Sequence, residues 1–83
     1  MTNQEFNNSI RTNCLGEFID KEKNVCVIYI EYIDETGELI AGTVCNVGFI
    51  PITSIWYNEH LSIDANIETL WDKLEELGYT RIG

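Results

Sequence analysis

The side chains of this chain that could do chemistry are carboxylates, three thiols and one imidazole. Asp64, Glu68 and Asp72 recur four residues apart, and Glu75 and Glu76 extend the row. On a helix, residues so spaced are neighbours on one face, with Cβ atoms about 5–6 Å apart. Successive phosphates of a nucleic-acid strand rise roughly 3.4 Å along the axis while the strand winds, so the row can imitate such a backbone and occupy a cationic groove. The plainer alternative is a solvated helix face opposite an apolar stripe. Compensation argues against it: between residues 59 and 76 only Lys73 answers six acids (Glu59, Asp64, Glu68, Asp72, Glu75 and Glu76), so pairing at i,i+4 does not explain the pattern.

A second acidic group, Glu31, Asp34, Glu35 and Glu38, surrounds a turn-forming stretch. Asp34-Glu35-Thr36-Gly37-Glu38 lacks the alternating ligands and the length of an EF-hand loop, so it reads as a hairpin tip and not as a calcium site. Cys14, Cys26 and Cys45 with His60 make four potential zinc ligands, but no two cysteines have the short spacing of a structural zinc site. Three reduced thiols serving as small hydrophobes is the better reading. No cofactor or metal is expected. Catalysis has little to stand on: there is no GxSxG elbow and no phosphate-cradling glycine loop. No cysteine lies near His60 in sequence, and a chain this short has little room for a cleft between two carboxylates. The aromatic pair Trp56-Tyr57 would point to opposite faces of a strand, one into the core and one to solvent. Tyr57 is the member read here as a partner contact, beside the acidic rim.

The balance of charge limits the partners. Fourteen acids against five Lys and Arg give a formal charge of −9 over 83 residues, beyond the magnitude of roughly 2–8 that suffices for solubility. Such a field repels nucleic acid and anionic membrane and attracts basic protein surfaces. With 45% apolar residues, two Trp, four Tyr and three Phe, the chain can build a core, unlike a disordered acidic tail. Residues 1–83 are expected to form a single acidic domain. Neither a signal peptide nor an apolar run of membrane length is visible, so a cytoplasmic protein is expected.

The elements that must position these groups follow from pattern. Thr2 and Glu5 have capping-box spacing, and Phe6, Ile10 and Cys14 share a face of the short helix they open. Leu15 to Asp20 reads as a strand with Leu15, Glu17 and Ile19 on one side. Val25 to Ile33 is β-branched or aromatic almost throughout, which predicts a central strand covered on most of both faces. Gly37, left-handed after a type I turn, would close a hairpin with Leu39 to Asn46. If partners sum to 71, Cys26 faces Cys45; a bulge at Gly37 would shift the sum to 72. Val47 to Tyr57 is strand-like, and Pro51 assigns it to an edge or a bend. Ser62 or Asp64 caps the last helix, whose stripe is Ile63, Ile67, Leu70, Leu74 and Leu77, widened by Trp71. Gly78 is the expected left-handed C′ residue, with Tyr79 at C″ against Leu74. The fold class is therefore α+β: an antiparallel sheet of three or four strands flanked by a short N-terminal and a longer C-terminal helix.

In length, acidic balance and the arrangement of Val25–Ile33, Leu39–Asn46 and Ser62–Leu77, the chain resembles small acidic inhibitors that phages and mobile elements encode against host defence, above all some anti-CRISPR proteins. Those proteins share no common motif, so the resemblance transfers no residue roles. It implies a stoichiometric inhibitor that occupies the basic channel of a nucleic-acid-binding enzyme, acting in the host cytoplasm. The αβββα order also resembles double-stranded-RNA-binding domains, but they need a basic surface, and this chain carries the opposite charge. The expectation is a non-catalytic acidic binding protein contacting a basic protein surface, such as a nuclease, through Asp64, Glu68, Asp72, Glu75 and Glu76, with Glu31, Asp34, Glu35, Glu38 and Tyr57 as a second contact. The alternatives are an immunity or antitoxin protein, and a homo-oligomeric small-ligand binder built around Trp56 and Tyr57.

Overall fold

The computed structural model describes residues 1–82. Along the chain run α1 (Asn3–Ser9), β1 (Cys14–Ile19), β2 (Val25–Ile33), β3 (Glu38–Cys45), β4 (Gly48–Trp56), α2 (Ile63–Glu76) and β5 (Thr80–Arg81). The strands form one antiparallel sheet in the order β4-β3-β2-β1-β5. The architecture is α+β, as the sequence pattern implies. β5 adds a fifth strand, and at two residues it is too short to leave a periodic signal.

α1 begins with the capping box. Thr2 Oγ1 accepts from the Glu5 N–H at 3.1 Å, and Glu5 Oε1 accepts from the Thr2 N–H at 3.0 Å. Hydrogen bonds from Thr2 to the carboxylate, its backbone N–H foremost and then its hydroxyl, hold the Glu5 carboxyl below its ordinary range. The helix ends sooner than the spacing of Phe6, Ile10 and Cys14 predicts, because Ile10 is extended at φ −117°. Only Phe6 enters the core from the helix itself, and Cys14 already belongs to β1.

β1 carries a bulge. Cys14 pairs with Tyr29 and Gly16 with Ile28, so Leu15 is an extra residue, and Gly16 takes φ 142°. The bulge puts both Leu15 and Phe18 into the core, which breaks the expected alternation of Leu15, Glu17 and Ile19. β2 and β3 pair with partners summing to 71, from Tyr29↔Gly42 to Ile33↔Glu38, and Gly37 is left-handed at φ 80°. That ladder stops at Tyr29↔Gly42, short of Cys26 and Cys45, so the two are not partners in it. All three cysteines are free. β4 is an edge strand, as Pro51 requires, and it bulges at Ile52, where Ala41↔Thr53 gives way to Gly42↔Pro51.

The even positions of β2 (Ile28, Ile30 and Tyr32) join Phe18, Leu39 and Ala41 under α2. The odd positions do not meet a second layer: Val25 is 61% and Val27 38% exposed. The expectation that β2 is covered on most of both faces is therefore corrected. One 14-residue helix covers one face of an antiparallel sheet, and the other face remains open.

α2 starts at Ser62, whose Oγ accepts from the Ala65 N–H at 3.1 Å. Leu70 and Leu74 are fully buried, whereas Leu77 at the end of the stripe is 40% exposed. Gly78 at φ 97° closes a Schellman motif: its N–H bonds to Glu75 O and the Tyr79 N–H to Leu74 O, both at 3.0 Å. The chain then turns back as β5, pairing Ile19↔Thr80 and Phe18↔Arg81.

Candidate partner-binding surfaces

Asp64, Glu68, Asp72, Glu75 and Glu76 are all exposed on α2. The helix seats Asn66, Leu70 and Leu74 against the sheet. Residues two positions away lie about 200° round a helix of 3.6 residues per turn, so Asp64, Glu68 and Asp72 face directly away from the core. The single ion pair among the described residues joins the Met1 ammonium to Glu59 at 3.4 Å. Lys73 pairs with none of its acidic neighbours; it lines a hollow with Glu38, Ser54, Ile55 and Trp56.

The hairpin acids divide. Glu31 lies opposite Ile40 and Glu38 opposite Trp56. Residues directly opposite share a face, and these alternate with the buried Tyr32 and Leu39. Glu31 and Glu38 therefore stand on the open side of the sheet, across it from α2, with Glu38 Oε2 accepting from Ser54 Oγ at 3.3 Å. Asp34 and Glu35 are exposed at the tip, and Asp34 Oδ2 accepts from the Asn3 N–H at 3.1 Å. The two acidic groups thus do not merge into one surface.

Tyr57 turns inward. Its ring packs edge-on against Phe6 at 6.2 Å and Tyr32 at 5.4 Å between centroids. Its neighbour Trp56 is 72% exposed, so of this aromatic pair Trp56, not Tyr57, meets solvent. Burial pushes the hydroxyl pKa of Tyr32 and Tyr57 upward, and nearby carboxylates add to it: Glu59, Asp34 and Glu5 for Tyr32, Glu59 for Tyr57.

The open sheet face is what the sequence reading missed. It carries Val25, Val27, Tyr29, Glu31 and Ile33 from β2, and Glu38, Ile40 and Val44 from β3. Phe49 and Trp56 join it from β4, as the partners of Val44 and Glu38. Its signal was present in the odd positions of β2, where Tyr29 and Glu31 interrupt the aliphatic run, and in the shortage of helix to cover a second face. Within it lies a cavity of about 290 Å³ lined by Asn3, Asn7, Asn13, Tyr29, Glu31, Val44 and Phe49, with Ile30 behind. Among the described residues no group of three or more His, Cys, Asp and Glu side chains is gathered as a metal set, and His60 is exposed. Among the described residues no helix is long and apolar enough to cross a membrane. Comparisons with protein-family models, with curated proteins and with solved structures find no match.

Proposed function

We propose that the chain is a non-catalytic acidic binding protein that docks on a cationic protein surface. The observation that carries this reading is the row Asp64, Glu68 and Asp72, continued by Glu75 and Glu76: every member is exposed, and none is in an ion pair among the described residues. Exposed carboxylates left unpaired along one rigid helix are free to meet cations from outside. Their spacing suits a surface that otherwise tracks a phosphate backbone. The finer reading is a stoichiometric inhibitor of a nucleic-acid-binding enzyme, of the kind phages and mobile elements encode against host defence, acting by occupancy of the basic channel.

Electrostatic attraction of this sort accelerates encounter and weakens as salt screens it. Capture from a native host lysate with graded salt elution tests the reading. A bound basic protein should elute earlier as ionic strength rises, and Glu68→Lys with Asp72→Lys should weaken its affinity by about tenfold or more while the circular dichroism spectrum is unchanged. A partner whose affinity ignores both salt and the double reversal would eliminate the helix-face mechanism.

A further inference from the structure

We propose that the cavity on the open sheet face receives an arginine side chain of the partner; this rests on the reading that the partner is a cationic protein. Gly42 of β3 lets Phe49 lie close over the strand and form one wall of the hollow. Gly42 pairs with Tyr29 on one side and Pro51 on the other, and Phe49 takes the space a side chain there would need: its Cζ would lie 2.7 Å from a Cβ at position 42. Tyr29 and Phe49 thus border a notch in a surface otherwise paved with side chains. Glu31, two residues along β2 from Tyr29, stands on the same face, and its carboxylate is in no ion pair among the described residues. Asn7 directs its amide N–H to Asn3 Oδ1 at 2.9 Å, which leaves its own Oδ1 as an acceptor at the rim, beside Asn13.

The site thus offers acceptors and aromatic rings around one negative charge. A guanidinium is the matching group: it is planar, carries five N–H donors and no acceptor, stacks on aromatic faces, and pairs with a carboxylate in bidentate geometry. A lysine ammonium has no flat face to lay on Tyr29 or Phe49, and an anion meets Glu31. The volume is close to the lower end, about 300 Å³, of cavities that hold small ligands. A second copy of this chain is the poorer occupant, since it brings fourteen acids with its five bases and would set Glu31, Glu38 and Glu17, which lies opposite Val27 on the open face, near like charge.

The test is an NMR titration of the full chain with N-acetyl-arginine-methylamide, and with the lysine analogue as control. Shifts should concentrate at Tyr29, Glu31, Val44 and Phe49, with a dissociation constant on the order of 1 mM. Glu31→Gln should weaken binding by about tenfold and leave resonances remote from the cavity in place, and the lysine analogue should bind clearly more weakly. Shifts scattered over the acidic surface, equal response to lysine, or undiminished binding by Glu31→Gln would each overturn the proposal. No partner is needed, so failure here leaves the α2 reading standing. Conversely, Glu68→Lys with Asp72→Lys should leave this titration unaltered.

Discussion

Asn66 ties the approach to α2 onto the helix with an amide that copies a peptide group. Its Oδ1 accepts from the Asn58 N–H at 2.8 Å, and its Nδ2 donates to Asn58 O at 2.9 Å and Ser62 O at 2.8 Å, at 1% exposure. Replacement by Ala removes the acceptor of the Asn58 N–H, while Asn58 O keeps the Leu61 N–H and Ser62 O keeps the Asn66 N–H. Asn66→Ala should therefore lower unfolding free energy by about 1–3 kcal/mol, read as a lower urea midpoint at constant slope. A loss under about 0.5 kcal/mol, the range of ordinary surface changes, would show that water replaces the amide. This residue was hidden in the sequence because it occupies the line of Leu70 and Leu74, where hydrophobic periodicity registers only a gap. By contrast Thr2, Glu5, Ser62 and Gly78 were legible, since caps and left-handed glycines act through their own backbone neighbours. Trp56 and Tyr57 were legible as a pair facing opposite ways, but which one turned inward depended on where Phe6 and Tyr32 packed.

At the scale of elements, β4 closes tightly on β3 at Gly42. A Cβ there would collide with the Ile50 carbonyl oxygen as well as with Phe49, and the carbonyl is held by the strand it belongs to. Gly42→Ala should push β4 away and cost about 1–3 kcal/mol, the usual range for overpacking, while dispersing the resonances of Phe49 and Ile50. Unchanged stability would mean that β4 shifts freely at its bulge. The run Val25–Ile33 announced a strand with certainty of type, yet it misled about burial. Valine, isoleucine and tyrosine favour a pleated backbone whether or not a second layer covers them, so composition alone did not separate a two-sided strand from a one-sided one. The irregularity of β4 was legible at Pro51, which the sequence reading assigned to an edge or a bend, whereas the position of the bulge at Leu15 depends on what lies opposite it on β2.

For the whole molecule, the formal charge of −9 is spread over two sides of one sheet, with the α2 row on one and Glu17, Glu31 and Glu38 on the other. Self-repulsion of this size opposes the compact state and is screened by salt. Raising NaCl from about 10 mM to about 0.5 M, where the Debye length contracts several-fold, should stabilise the fold by about 1 kcal/mol, or about 4–8 °C in Tm for a domain this size. A flat or falling Tm would mean that the carboxylates stand far enough apart to ignore one another. The order β4-β3-β2-β1-β5 has a consequence for how the chain reaches this state. The first three pairings join strands consecutive along the chain and close only short loops, at low entropic cost. The β1–β5 pairing, Phe18 with Arg81, spans most of the polypeptide for two residues of ladder. Loop-closure cost therefore predicts assembly as a meander of hairpins, with α2 settling on it and the tail drawn in last. The β1–β5 seam is then the expected first place to open, with amides of Thr80 and Ile82 exchanging before those at Leu70 and Leu74.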